Sequence, residues 1–185
     1  MESAAKIKET LQAASTEKLP EFIAEYETDP RSGVQKLVAS ARKKLDALEK
    51  EKQRIENLKK YEREYAQYSY ICGIDEVGRG PLAGPVVAGA VILPKDCHIL
   101  YINDSKQLSE KKREELYDVI TREAVAWAVG YASPKRIDEI NILQATYEAM
   151  REAIGKLTPA PDLLLNDAVT IPGVNIRQVP IIMGD

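Results

Sequence analysis

Nine of the ten glycines lie beyond residue 70, and only Gly33 precedes it. Glycine serves where a chain turns tightly or lets another backbone approach. The asymmetry therefore predicts a helical leader over residues 1–69 and a turn-rich, strand-containing domain over 70–185. Pro20 and the Asp29-Pro30-Arg31-Ser32-Gly33 cluster break the leader into short helices followed by one long one. Along the long helix Val34, Val38, Ala41, Leu45, Leu48 and Ile55 recur at helical spacing, a narrow apolar seam. Lys52 and Lys59 fall on later seam positions, which argues against an extended coiled coil and for a small helical hairpin or bundle packing on the main domain.

At 185 residues, with 44% hydrophobic and 30% charged side chains, the chain has the composition of an ordinary globular protein. Two cysteines, Cys72 and Cys97, are too few for a secreted disulfide scaffold, and one histidine adds too little for a structural zinc site. The first ten residues lack the apolar core of a signal peptide. The longest mostly apolar run, residues 81–94, carries prolines and glycines and is shorter than the ~20 residues a membrane span needs. These features predict a cytoplasmic, monomeric protein with no membrane partner.

The net charge of −3 conceals an alternation. Residues 1–30 hold 3 basic and 7 acidic side chains, residues 33–63 hold 10 and 5, and residues 70–185 hold 12 and 16. A basic stretch between two acidic ones suits either a phosphate-facing surface or a solvated helix face.

Beyond residue 70, strands are predicted over 70–77, 86–93, 126–132, 162–166 and 177–183. Helices are predicted over 109–123, with Ser109 as N-cap, and over 134–157, interrupted near Ile140-Asn141. Read as β-β-β-α-α-β-β, this order suggests an antiparallel meander extended by strands added after helical crossovers.

The segment richest in chemistry is Gly73-Ile74-Asp75-Glu76-Val77-Gly78-Arg79-Gly80-Pro81-Leu82-Ala83-Gly84-Pro85. Adjacent carboxylates interrupt an otherwise apolar strand, and burying bare charges is costly unless they are paired or metal-bound. Arg79 is the one basic residue beside them, so a hard cation is the natural partner. Neighbouring strand residues face opposite ways, so for both to serve one site the strand must end or bend there, which Gly78 permits. On spacing alone the segment reads equally as a glycine turn with surface carboxylates beside it.

The same segment resembles the opening motif of the ribonuclease HII family, in which an Asp-Glu pair on the first strand precedes a Gly-Arg-Gly loop. The resemblance continues through Asn103-Asp104-Ser105-Lys106-Gln107-Leu108-Ser109-Glu110-Lys111-Lys112-Arg113 and Ile137-Asp138-Glu139-Ile140-Asn141-Ile142-Leu143-Gln144-Ala145-Thr146, and covers residues 70–185. The Gly-Arg-Gly loop favours this family over ribonuclease HIII, and the leader is similar to an extension carried by members from low-GC Gram-positive bacteria. The resemblance implies an α/β RNase H-like fold, with a five-stranded mixed sheet flanked by helices and preceded by a helical N-terminal extension.

It also implies four acidic metal ligands and catalytic residues, Asp75, Glu76, Asp167 and Asp185. Such an oxygen-only set selects Mg²⁺ or Mn²⁺. Two ions about 4 Å apart would clamp the scissile phosphate. The implied substrate is an RNA–DNA hybrid or a DNA duplex containing ribonucleotides. Gly78, Arg79 and Gly80 would read the 2′-hydroxyl, and Lys106 would contact a backbone phosphate. The alternatives on residues alone are a strand-end aspartate at 167, a solvated terminus at 185 and an ordinary surface lysine at 106.

Three departures from the family pattern surround the last two ligands. The C-terminal helices expected after the fourth aspartate are missing. Asn166 stands where an apolar residue is usual, at a cost of about 1–3 kcal/mol if its amide lacks partners. Met183 stands where a basic residue is usual. These departures motivate a second reading, a catalytically impaired fragment that binds hybrid without cleaving it, and the leader motivates a third, an element that docks an unidentified protein. Among other residues, His98 is expected in a loop, Cys72 and Trp127 in the core, and Tyr61, Tyr65, Tyr68 and Tyr70 either at the junction between leader and domain or stacked on bases.

Overall fold

Two proline-associated breaks and one apolar seam account for the leader. The computed structural model describes residues 2–80, 83–167 and 169–181, and the chain divides into two units, Met1–Leu58 and Lys59–Asp185. In the first unit, α1 (Ala4–Ala13) and α2 (Leu19–Tyr26) precede α3 (Ser32–Leu58). The Ser3 hydroxyl caps α1 by accepting from the Lys6 N–H, and Pro20 sits in the first turn of α2, where its missing N–H costs nothing. Ile7, Leu11, Leu19, Phe22 and Tyr26 bury against Val34, Val38 and Ala41 of the α3 seam. The 29–33 break is fixed by Asp29, whose carboxylate accepts from the Arg31 backbone and guanidinium. That pairing holds the Asp29 carboxyl at about 2, below the usual carboxylate range.

The second unit begins with the short α4 (Lys60–Glu64) and then builds one sheet. Its strands are β1 (Ile71–Val77), β2 (Val86–Ile92), β3 (Ala126–Ala132), β4 (Leu163–Asp167) and β5 (Arg177–Ile181), in the order β3-β2-β1-β4-β5. β1, β2 and β3 pair antiparallel, while β4 and β5 add parallel to β1. This is the five-stranded mixed sheet that the resemblance implies. α5 (Glu110–Glu123) stands between β2 and β3, so the first three strands are not an uninterrupted meander. α6 (Pro134–Ile140) and α7 (Ile142–Gly155) then carry the chain over to β4. The break between them is Asn141, at φ 70°, whose side-chain oxygen accepts from the Leu143 and Gln144 N–H groups and starts α7. Arg136 joins the two helices through Glu148, at 2.6 and 2.9 Å.

One face of the sheet is buried under α7. Cys72 and Ile74 of β1, Val86, Ala88, Ala90 and Ile92 of β2, and Ala128 and Ala132 of β3 pack there with Ala145, Ala149, Met150 and Ala153. The edge strand β3 would leave main-chain groups unpaired, and α7 supplies their partners: Glu152 accepts from the Tyr131 N–H, and Lys156 donates to the Val129 carbonyl. Trp127 is not a core residue. Strand alternation places Trp127, Val129 and Tyr131 on the opposite face, 44%, 43% and 53% exposed, while the small residues between them face α7.

Tyr65 and Tyr68 pack within the second unit, with the Arg177 guanidinium over both rings and donating to the Tyr68 hydroxyl at 2.9 Å. Nearby, the Asp162 carboxylate accepts from the Ser69 and Tyr70 N–H groups, tying the entry of β1 to the approach to β4. His98 lies in the loop after β2, within 3.0 Å of Lys59.

Cys72 is fully buried and burial pushes its thiol up to about 12. Since the thiolate is the reactive form, a thiol reagent should label the native protein at Cys97 alone and reach Cys72 only in denaturant. Equal labelling of both cysteines in the native state would contradict the burial of β1.

Candidate active site

The site forms where the parallel pairing of β1 with β4 runs out, beyond Ile74–Asn166. Ile74 of β1 is registered with Asn166 of β4, so the next residue on each strand, Asp75 and Asp167, projects from the other face of the sheet at adjacent positions. Three effects act on Asp75. Desolvation by the surrounding protein is the largest and raises its pKa, although part of the residue is open to solvent. A hydrogen bond from the Glu76 N–H at 2.7 Å pulls the other way. Repulsion from Glu76 and Asp167 raises the pKa again, partly offset by Lys106, and the net shift is upward. A carboxyl pushed toward its neutral form by burial and by neighbouring carboxylates is what a cation site looks like before the cation is counted.

Glu76 does not share that position. β1 stays paired with β2 through Val77, so the strand neither ends nor bends at the acidic pair, and alternation sends Glu76 toward the opposite side from Asp75. There its carboxylate, 15% exposed, accepts from Arg79 Nη1 at 2.8 Å. Among the described residues no group of three or more acidic, histidine or cysteine side chains is gathered as a ready metal cage. The structure thus brings Asp75 and Asp167 together and leaves Glu76 beside them in an ion pair. Asp185 lies outside the described residues.

Gly78 and Gly80 frame Arg79. Gly78 adopts φ 98°, and a Cβ there would run into the Pro85 carbonyl oxygen, so glycine is required for the loop to fold back on the start of β2.

Lys106 comes from a second loop, a 3-10 turn over Ser105–Gln107. Asp104 caps this turn by accepting from the Lys106 N–H at 2.9 Å. Arg113, at the start of α5, reaches back to donate to the carbonyls of Leu108 at 2.7 Å and Ser105 at 3.3 Å. The sequence gives Arg113 no role of its own; its position one turn after an N-cap serine is the available signal.

The donor set fits a hard divalent cation. It offers carboxylate oxygens, with no thiol or imidazole beside them, and their mutual repulsion is relieved by positive charge.

Two family models match the chain: the ribonuclease HII N-terminal domain over residues 3–66 and ribonuclease HII over residues 72–183. The chain belongs to the ribonuclease HII family. The ribonuclease HII of Lachnoclostridium phytofermentans is 66% identical over 160 residues, covering 86% of this chain and 63% of that relative. The Clostridioides difficile ribonuclease HII is 50% identical over 185 residues, covering 99% of this chain and 72% of the relative. The chain therefore spans a little under two thirds of the first relative's length. A solved ribonuclease H2 from Pyrococcus horikoshii overlaps with a TM-score of 0.46 at 27% identity, covering 58% of this chain and 52% of that one. Among the described residues, no helix of the chain is long and apolar enough to cross a membrane.

Proposed function

We propose that this chain carries the catalytic site of a metal-dependent endoribonuclease that hydrolyses the RNA strand of RNA–DNA hybrids, or DNA strands at embedded ribonucleotides. The observation that supports this reading best is the placement of Asp75 and Asp167 side by side where the β1–β4 pairing runs out, with Lys106 close enough to moderate the charge of Asp75.

In this reading Asp75, Glu76, Asp167 and Asp185 hold Mg²⁺ or Mn²⁺. When bound, the metal supplies a nucleophilic water at neutral pH and stabilises the departing 3′ oxygen. The protein's own contribution is positioning. Lys106 offers a point charge to a phosphate of the nucleic-acid backbone, and the capped turn that carries it limits where that charge can go. The Gly78-Arg79-Gly80 loop presents backbone N–H groups and a guanidinium to the ribose beside the cut, where the 2′-hydroxyl distinguishes RNA from DNA. Arg79 must leave Glu76 to do so, and Glu76 would be released from that pair if its carboxylate held a cation.

The test is cleavage of a labelled RNA–DNA hybrid in Mg²⁺, Mn²⁺ or EDTA, beside an all-DNA duplex. Metal-dependent cutting of the hybrid alone is expected. Folded protein that binds hybrid without cutting it in any metal would refute the enzymatic reading in favour of a binding fragment.

Gly78→Ala probes the loop separately. The added methyl meets main chain rather than a movable side chain, at a φ that alanine avoids. We expect kcat/KM on hybrid to fall about a hundredfold, the scale of an ångström-sized misplacement, with only about 1–3 kcal/mol of stability lost in urea. Wild-type kinetics in this variant would remove the loop from the mechanism.

A further inference from the structure

Asn166 is a buried amide, 1% exposed, at the penultimate position of β4. Its Nδ2 donates to the Gln178 side-chain oxygen at 2.8 Å and to the Val169 carbonyl at 3.1 Å, two residues beyond Asp167. Gln178, on β5, uses the same oxygen to accept from the Ile171 N–H at 2.7 Å, and its Nε2 donates to the Ile171 carbonyl at 3.0 Å. Two side-chain amides thus grip the main chain at Val169 and Ile171, past the last described pair of the β4–β5 ladder, Asp167–Ile181.

The arrangement carries a cost that an apolar residue would avoid. Asn166 Oδ1 is buried with no partner among the described residues. If position 166 served only to pack β4, as Leu163 and Leu164 do at 0% exposure, an aliphatic side chain would do it without that penalty. What the amide adds is directional: it fixes the path by which the chain leaves Asp167.

We propose that Asn166 and Gln178 are positioning residues for Asp167, holding its backbone so that its carboxylate stays beside Asp75. The inference rests on the reading of these carboxylates as a metal site, and it assigns neither amide any contact with metal or substrate. Residues that orient a metal ligand commonly change metal affinity 10–100-fold when replaced.

The experiment is Mn²⁺ binding to the full chain, followed by the loss of the free-ion EPR signal, in wild type, Asn166→Leu and Gln178→Met. Gln178→Met keeps length and volume while removing all of its side chain's hydrogen bonds. Each variant is expected to bind Mn²⁺ about tenfold more weakly. The double variant should be little worse than either single one, because both remove the same amide–amide bond. Ile92→Val, a buried change on β2 outside this network, should lower stability yet keep wild-type affinity. Unchanged Mn²⁺ affinity in folded Asn166→Leu and Gln178→Met would overturn the proposal.

A measurement on the wild type needs no variant to fold. During a Mg²⁺ titration the side-chain amide resonances of Asn166 and Gln178 should shift with the same midpoint as the Asp167 N–H, and resonances that stay fixed while Asp167 moves would overturn the proposal. Wild type that binds no Mn²⁺, or binding that survives Asp75→Asn, would instead overturn the metal reading on which the amide pair depends.

Discussion

Asp75→Asn should abolish metal-dependent cleavage, lowering kcat/KM on hybrid by about a thousandfold or more. That corresponds to roughly 4 kcal/mol of lost transition-state stabilisation, the scale on which a metal stabilises developing charge. Asparagine keeps the size and one carbonyl oxygen of Asp75 but removes the charge that attracts a cation. The same substitution should have the opposite sign on stability when metal is chelated. Desolvation and the nearby Glu76 and Asp167 raise the Asp75 pKa in the folded chain. Over the range between its unfolded and folded pKa values, the native state binds more protons than the unfolded state, so metal-free stability falls as pH rises through that range. Asp75→Asn removes this penalty. In EDTA the variant should melt above wild type at pH 7, and the gap should close below the carboxylate range, where wild-type Asp75 is neutral too. In the proposed site metal should reverse the order, because binding to the ionised wild-type carboxylate would stabilise the native state by mass action. A variant that melts below wild type in EDTA at pH 7 would mean that Asp75 is held by contacts other than those described.

Gly130→Ala should be the most destabilising single methyl in the second unit. Gly130 lies on the α7-facing side of β3, and a Cβ there would overlap the Ala149 carbonyl oxygen and come within 2.8 Å of the Ala149 carbonyl carbon and the Ala153 nitrogen. All of these are main-chain atoms of one helix, so no rotamer change relieves the clash and α7 must lift from the sheet. Lifting it opens the contact made by Ala145, Ala149 and Ala153 and pulls Glu152 and Lys156 from the β3 edge. We expect a loss of about 3–5 kcal/mol in urea, at the upper end of overpacking effects. A loss below about 1 kcal/mol would show that α7 does not pack on β3 as closely as described.

The same small residues explain what was and was not legible in the sequence. The α3 seam could be read because Val34, Val38 and Ala41 repeat on one face and that face is buried. The Asn141 break could be read because an asparagine between two helical runs has its own local chemistry. Trp127 misled because size suggests burial, whereas on β3 the core face is built from Ala128, Gly130 and Ala132 to admit α7, and the large residues point outward. Local pattern reveals the period of a strand but not which of its faces a helix will cover.

In the site, the chemistry of Asp75, Glu76 and Arg79 is visible within five consecutive residues. The neighbour relation between Asp75 and Asp167 is not, because it arises from parallel pairing of strands far apart in the chain. Asn166 is legible as a buried amide in need of partners, but Arg113 and Gln178 escape a search for chemistry for another reason: they act on backbone carbonyls and N–H groups, and polar residues that do so carry no signature in their spacing. The Arg79–Glu76 pair sits at both levels, an i, i+3 spacing readable from sequence whose 2.8 Å ion pair needs the structure.

The central claim is that these carboxylates cut nucleic acid at a ribonucleotide with the help of a divalent cation. The most direct measurement is cleavage of a labelled DNA duplex carrying one ribonucleotide, in Mn²⁺, beside the same duplex with deoxyribose at that position, using wild type and Asp75→Asn. The account predicts a single cut next to the ribonucleotide by wild type, none in the deoxyribose duplex, and none by the variant. Cutting that ignores the 2′-hydroxyl, or that persists in Asp75→Asn, would contradict it.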